Sequence, residues 1–283
     1  MGRIEPLSGV QIVSIALNLP GPVAVARLHD LGARVVKIEP PSGDPLQFAQ
    51  PDAYAELHQG VDVRTADLKS EEGRQMLDSL LAESDVLLTS SRLAALERLG
   101  LGWGVLSERY PRLCRVAIVG SAPPKEDVPG HDLTYQASKG LVMPPHMPVS
   151  LLADLGGATE AVCATLSLLL LRSGRSLLSA EERDVIVPLD QAAEYFAKPL
   201  RWGLCQPGGV LGGGLPQYNL YACRSGWVAV AALEPHFWMR MQSKLEVEAP
   251  TQAELGQIFR KMTATEWEDW ASQNDLPIVA VPE

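Results

Sequence analysis

The sequence predicts an α/β protein, with a doubly wound, mostly parallel sheet in a large domain and a smaller α+β domain after it. Three observations carry this. Apolar strand-like runs alternate with helical patterns from residue 8 to residue 120. The first of these units, Gln11 to Glu39, has the length and order of a βαβ crossover, which implies a parallel pair. Past Gln206 the chain turns glycine- and proline-rich, and two adjacent β-rich runs then read as a hairpin. The expected domains are residues 1–205 and 206–283.

Gln11 to Leu17 is an apolar strand running into Asn18-Leu19-Pro20-Gly21-Pro22, a turn whose proline suits the start of a helix. That helix, Val23 to Leu31, stops at Gly32, and Arg34 to Glu39 is the second strand. One glycine stands at the first turn where a dinucleotide fingerprint needs three, which argues against NAD. Ser70 caps a helix from Glu71 to Glu83, with Met76, Leu77, Leu80 and Leu81 on its apolar face. Asp85 to Leu88 and Leu113 to Val119 are strands, separated by short helices at Leu93 to Leu99 and Val105 to Tyr110. Ligands of such sheets lie at the carboxyl ends of the strands: Asn18 to Gly21, Glu39 to Asp44, Thr89 to Arg92 and Gly120 to Ala122.

A long apolar helix is expected from Ala158 to Leu171. Next come a polar connection to Arg183, a strand to Leu189 and a helix from Gln191 to Lys198. The glycine-rich loop from Gln206 to Tyr218 can bring backbone close to a ligand or serve as a lid or linker. In the small domain, strands Tyr218 to Cys223 and Gly226 to Leu233 precede helices Pro235 to Lys244, Gln252 to Lys261 and Ala264 to Gln273. Thr263 with Glu266 forms a capping signal for the last helix, and Leu276 to Val281 reads as an edge strand.

Composition narrows the function. A net charge of -10 argues against nucleic acid or an anionic membrane as partner. The four cysteines have no CxxC spacing, and Cys114 and Cys163 sit in apolar surroundings, as core thiols of a reducing compartment do. The start, Met1 to Pro6, lacks a signal peptide's basic and apolar regions, and the run Ala161 to Leu171 is short for a membrane span, so the cytoplasm is expected. No HExxH motif or Cys/His cluster points to a metal, and no G-x-S-x-G elbow or P-loop is present.

Of the five histidines, His29 lies late in a helix and His58 in a polar linker, with no specific task expected for either. His146 sits in a proline- and methionine-rich loop and could line a pocket, and His236 stands at a strand-to-helix junction. His131, between Gly130 and Asp132, occupies a constrained loop, either presenting its ring or serving structure. Asp154 falls at the mouth of the long apolar helix, where it either caps the helix or acts as a reactive carboxylate. A carboxylate and a histidine can move a proton from a carbon acid if an electrophile holds the enolate. The amides of Leu155, Gly156 and Gly157 at the expected helix start would supply that.

At this point the chain resembles the class III coenzyme A transferase family, which includes α-methylacyl-CoA racemase. The likeness runs through Leu7 to Val10, Leu19 to Pro22, Leu31 to Asp44, Asp67 to Lys69, Leu99 to Gly102, Leu151 to Gly157, Gly213 to Tyr221 and Gly226 to Val230. Gly130-His131-Asp132-Leu133-Thr134-Tyr135 and Ala232-Leu233-Glu234-Pro235-His236-Phe237 are similar to the racemase branch. That resemblance implies α-proton exchange on a 2-methylacyl-CoA, with His131 and Asp154 as opposed bases and Glu234 polarising His131. The transferase branch implies that Asp154 instead attacks the thioester and forms an aspartyl-CoA intermediate. A third alternative is a CoA-thioester-binding protein without catalysis. Coenzyme A would enter as part of the substrate, with no tightly bound cofactor, and Lys37, Arg92, Asn18, Gly156 and Gly157 are expected to bind it. The family also implies an interlocked homodimer, although the usual return segment after the small domain is missing here.

Overall fold

The structure is a computed structural model that describes residues 4–175 and 178–282. Met1 to Arg3, where a signal peptide would begin, and Ser176 and Leu177 of the expected polar connection lie outside the described residues. Two compact units are present, Met1–Phe196 and Ala197–Glu283.

The first unit runs β1 (Gln11–Ser14), α1 (Pro20–Asp30), β2 (Arg34–Glu39), α2 (Pro45–Ala49), α3 (Pro51–Leu57), β3 (Asp62–Thr65), α4 (Glu71–Glu83) and β4 (Val86–Thr89). It continues α5 (Leu93–Arg98), α6 (Trp103–Arg109), β5 (Cys114–Val119), α7 (Asp132–Ser138), α8 (Leu152–Ser173), β6 (Asp184–Pro188) and α9 (Leu189–Phe196). All six strands pair in parallel, in the order β3-β2-β1-β4-β5-β6. The central strands β4 and β5 are buried along their whole length because both faces of the sheet are covered there. Val35, Ile12, Val86 and Cys114 share one rung and point into the core made with α1, α8 and α9. Their neighbours Val13 and Leu87 point the other way, onto Leu77 and Leu81 of α4, Leu96 of α5 and Leu106 of α6. Fully burying one of these leucines contributes about 1.5–3 kcal/mol.

The strand order reverses between β1 and β4, which makes their carboxyl ends the topological switch point of the sheet. There the Leu17 amide donates to Ser90 Oγ at 2.9 Å, and Ser90 Oγ donates back to the Leu17 carbonyl at 3.2 Å. The mouth of the crevice is therefore tied across both strands.

Several expectations need correction. The linker expected around His58 is helical up to Leu57: Asp44 caps α2 by accepting the Leu46 amide at 2.9 Å, and α3 follows, started by Pro51. β3 was not expected, because Asp62–Thr65 is a polar, largely exposed edge strand without apolar alternation. The long helix begins at Leu152, six residues before the expected Ala158, since Leu151 offers no side-chain cap and Gly156 and Gly157 are helical. At 22 residues α8 is long and apolar enough to cross a membrane, yet it packs on α1, α9, β5 and β6 as a core helix. Cys114 is buried as expected, whereas Cys163 is exposed.

The second unit begins with α10 (Lys198–Arg201) and holds β7 (Tyr218–Ala222), β8 (Trp227–Ala231), α11 (Pro235–Leu245), α12 (Gln252–Phe259), α13 (Ala264–Gln273) and β9 (Ile278–Ala280). Its three strands are antiparallel in the order β7-β8-β9. Tyr221 stacks on Phe259 in its core and Trp267 meets Phe259 edge-on, with Trp267 Nε1 donating to the Phe259 carbonyl at 2.7 Å. The glycine-rich loop folds on itself. Side chains at Gly212 or Gly214 would strike the carbonyls of Gln206 or Gly208, at 1.9 and 2.2 Å.

Gly156 and Gly157 explain the close approach of α9 to α8. A Cβ at Gly157 would lie 2.2 Å from Leu189 Cδ2, and one at Gly156 would lie 2.6 Å from the Phe196 ring. Gly157→Val is expected to force α9 outward and lower stability by about 1–3 kcal/mol. Urea unfolding of the purified variant checks this, and an unchanged midpoint would contradict it.

Candidate active site

The first wall of the site comes from β1 and β2. Asn18 takes a left-handed conformation with φ of 65°, and its amide donates to Asp44 Oδ1 at 3.0 Å. The other oxygen of Asp44 lies 2.5 Å from Lys37 Nζ. Lys37 is fully buried, and its ammonium also meets Glu39 Oε1 at 2.9 Å and His58 Nε2 at 2.8 Å. Nδ1 of His58 lies 2.6 Å from the Tyr54 carbonyl, an acceptor, which assigns the ring proton to Nδ1 and leaves Nε2 to accept from Lys37. Burial, and then the ammonium beside it, hold the His58 pKa below its ordinary value against the opposing pull of the Tyr54 carbonyl and nearby carboxylates.

His58, expected in a linker with no task, is thus a buried member of this cluster. Polar flanking sequence hid it, because its partners come from the preceding strand. Glu39, Asp44 and His58 stand close enough together to hold a metal ion, but the cation among them is the Lys37 ammonium. Lys37 therefore acts on the loop, fixing Asp44 and through it Asn18.

The second wall is the loop after β5 together with α7 and α8. His131 precedes α7 in an extended conformation, and its amide donates to Thr134 Oγ1 at 3.1 Å while Thr134 Oγ1 donates to its carbonyl at 2.7 Å. That reciprocal pair fixes the backbone and leaves the exposed imidazole available. Tyr135 packs so tightly that a Cβ at Gly130 would come within 2.6 Å of its ring, and one at Gly120 within 2.3 Å of its hydroxyl. The glycine before His131 and the tyrosine four residues after it are therefore a packing pair.

Asp132, buried at 4% exposure, connects the two helices. Its Oδ1 accepts the Asp154 amide at 3.0 Å, and its other oxygen accepts from Gln136, whose amide also donates to the Ser150 carbonyl at 2.8 Å. Asp154 sits in the first turn of α8. Its pKa is pushed up to about 6, first by burial and then by the negative charge of Asp132, with His131 pulling the other way. The Tyr135 phenol is likewise raised, mainly by burial and then by Asp154 and Asp190, with Arg92 opposing.

These walls enclose a cavity of about 250 Å³ lined by Asn18, Ser90 and Arg92 on one side and His131, Tyr135 and Asp154 on the other. Glu126, which drew no attention in the sequence, lines it too. Leu17 is shared with a second, apolar hollow of about 180 Å³ between Ile38, Leu68, Lys69 and Leu96. The amides expected to hold an enolate are displaced by the helix boundary. Leu155 N–H donates to the Leu151 carbonyl at 3.0 Å, and Gly156 and Gly157 lie beyond the amides that lack intrahelical acceptors. That leaves Leu152 and Ala153 at the open end of α8. His146 is exposed and lies outside the residues lining the cavity, whereas His29 packs against Gly60. Glu234, in the second unit, is an exposed residue at the start of α11 whose side chain caps no amide.

The doubly wound sheet with a cavity at its switch point, lined by His131 and Asp154, is the arrangement of a ligand-binding α/β protein, and the whole-chain comparison gives its family. The chain belongs to CoA-transferase family III, whose profile matches residues 7–283. It is similar to the cinnamoyl-CoA:phenyllactate CoA-transferase of Clostridium sporogenes, at 38% identity over 47% of this chain and 35% of that protein. It is also similar to the α-methylacyl-CoA racemase of Mus musculus, at 30% identity over 92% of this chain and 74% of the racemase. In fold it matches the hypothetical protein Rv3272 of Mycobacterium tuberculosis with a TM-score of 0.82 at 24% identity, covering 100% of this chain and 85% of that one.

Two outcomes follow from the electrostatics. Lys37→Ala leaves Glu39 and Asp44 buried without their cation, so a loss of about 3–5 kcal/mol is expected in urea unfolding. Asp154 has a pKa near 3.8 in an unfolded chain and about 6 when folded. Its contribution is thus most favourable below pH 3.8 and is lost as the pH rises through 6. Asp154→Asn, which cannot ionise, is expected to be more stable than the parent by about 1–3 kcal/mol at pH 8. That gain should fade towards pH 4, and a gain independent of pH would refute the assignment.

Proposed function

We propose that the protein exchanges the α-proton of a 2-methylacyl-CoA or a related thioester through an enolate. The observation that carries this reading is the pairing of His131 and Asp154 on one cavity, with the carboxyl tuned to about 6. A base poised near the working pH both takes and returns a proton efficiently. One of the pair removes the α-proton and the electrons move onto the thioester oxygen. The other then delivers a proton to the opposite face of the same carbon. Amides at the open end of α8 and the positive end of its dipole favour the enolate oxygen.

The coenzyme lies along the strand ends in this reading, with its thioester between the two bases. Asn18 and Arg92 hold it at the cavity mouth, and the hollow beside Lys69 takes its distant end. Lys37 contributes by setting the Asp44 loop, and Gly156 and Gly157 by letting α9 close on α8. Glu234 is assigned to polarising His131 on the likeness of its segment to the racemase branch.

The similarity to a CoA-transferase at 38% identity favours a second reading. There Asp154 attacks the thioester carbonyl and expels the CoA thiolate, leaving a mixed anhydride. The thiolate then attacks the aspartyl carbonyl, releasing the first acid and forming an aspartyl-CoA thioester that a second carboxylate reverses.

Incubation with a chiral 2-methylacyl-CoA in deuterated water separates the two. Exchange at the α-carbon is expected, falling by about 10²–10⁴ in His131→Ala and Asp154→Asn and by less in Glu234→Gln. Its rate should rise with pH through about 6 in the direction that uses Asp154 as base. Hydroxylamine trapping of a hydroxamate on Asp154, without exchange, would replace this reading with the transferase one. No exchange and no trapping across a panel of thioesters would remove both.

A further inference from the structure

The proposed chemistry places negative charge on the thioester oxygen, and a donor held in place beside that oxygen favours the charge as it develops. Of the first amides of α8, that of Asp154 is already taken by Asp132 Oδ1. The side chains on the cavity wall that carry a donor at neutral pH are Asn18, Ser90, Arg92, His131 and Tyr135. Ser90 gives its hydroxyl hydrogen to the Leu17 carbonyl at 3.2 Å. Asn18 and the exposed Arg92 stand beyond the ends of β1 and β4, where they are assigned to the coenzyme. His131 is one of the two bases. Tyr135 is left, and it belongs to the wall that carries both bases.

The fold fixes this side chain from several directions. Tyr135 lies one helical turn beyond His131, its amide donating to the His131 carbonyl at 3.2 Å. Its ring belongs to the core that contains Ile118 and Leu189, and it is only 7% exposed. The backbones of Gly120 and Gly130 come so close that a side chain at either would strike the hydroxyl. The hydroxyl keeps a face open to the cavity, so a ligand there can reach it. A donor held this way has little left to reorganise when the reaction begins.

Its electrostatics suit the step. Burial, and then the charge of Asp154, keep the phenol protonated, with Arg92 opposing. In the direction that uses Asp154 as base, the α C–H bond breaks and the proton passes to the carboxylate. The C–H electron pair forms the enolate double bond, and the carbonyl pair moves onto oxygen. The phenol keeps its proton throughout and gives only a hydrogen bond. Because Asp154 becomes neutral in the same step, its pull on the phenol hydrogen disappears as the enolate charge appears. The bond to the thioester oxygen is then stronger in the transition state than in the bound substrate, which is the condition for raising kcat.

We infer that Tyr135 is a further catalytic residue, its hydroxyl donating a hydrogen bond to the thioester oxygen as that oxygen becomes the enolate oxygen. This rests on the proposed α-proton exchange at His131 and Asp154.

Two measurements on Tyr135→Phe test it, with circular dichroism and the thermal midpoint establishing that the variant is folded. In deuterated water, exchange at the α-carbon of a chiral 2-methylacyl-CoA is expected to fall about 10²-fold in kcat while KM stays within a few-fold. In calorimetry, two stable thioethers are compared: carboxymethyl-CoA, whose carboxylate places negative oxygen beside the sulfur, and the neutral S-propyl-CoA. The affinity of the parent for the first relative to the second is expected to drop about 10- to 100-fold in the variant. An unchanged kcat, a change in KM alone, or an equal weakening of both thioethers in the folded variant overturns the inference. If the phenylalanine variant does not fold, replacement of Tyr135 by 3,5-difluorotyrosine decides, since it keeps the ring and makes the phenol a stronger donor. That replacement is expected to raise the carboxymethyl-to-propyl ratio several-fold, and an unchanged ratio overturns the inference. A parent that exchanges no thioester removes the proposed function and this inference with it, whereas exchange that survives in Tyr135→Phe removes this inference alone.

Discussion

A single hydrogen bond, from the Asp154 amide to Asp132 Oδ1 at 3.0 Å, couples the two halves of the site. Asp132 begins the helix that His131 introduces, and Asp154 lies in the first turn of α8. α7 also packs on α8 and α9, and this bond fixes the register in which the segments carrying the imidazole and the carboxyl meet. The same carboxylate also supplies negative charge behind Asp154, which adds to burial in raising its pKa. Asp132 therefore contributes to the position of Asp154 and, after burial, to its proton affinity. Gln136 anchors Asp132 from the next turn and ties it to Ser150, so the pairing does not depend on an exposed side chain.

The opposite wall uses the same strategy with the opposite charge. A buried ammonium, Lys37, gathers Asp44, Glu39 and His58, and Asp44 in turn holds the Asn18 amide. Buried ions are expensive to desolvate, and an apolar cluster of equal volume would serve stability as well or better. What the ionic cluster adds is direction: Asp44 is oriented so that one oxygen meets Lys37 and the other accepts the amides of Asn18 and Leu46. The left-handed backbone of Asn18 is compatible with this arrangement because asparagine tolerates that region better than most residues.

Much of this architecture was legible in the chain. The central strands β4 and β5 announce themselves as largely apolar runs, since each residue has a helix layer to pack against whichever way it points. Ser70 and Thr263 cap their helices as their spacing implies, with the Gly73 amide at 3.0 Å and the Glu266 amide at 3.3 Å. His131 and Asp154 stood out through segments rich in glycine, and the glycines prove to have steric reasons. β3 was hidden because an edge strand with one neighbour needs no apolar face. The start of α8 was misplaced because glycine disfavours helices in isolation, while here it permits contact with Leu189 and Phe196. Asp132 and His58 were missed for a common reason: their roles arise from partners distant in sequence, and no local pattern encodes these.

The site also sits at a cost that the rest of the unit must offset. An ionised Asp154, buried and beside Asp132, lowers stability at neutral pH. The strands, α1 and α4 bury their leucines and valines without it, and its helix packs on α1 and α9. A group that opposes folding and contributes little to packing is intelligible when a ligand completes it. In the proposed reaction Asp154 exchanges a proton with the α-carbon of the thioester, while the amides at the start of α8 favour the enolate oxygen. The local cost and the proposed chemistry then have the same origin, a carboxyl held in place by Asp132 and kept from water.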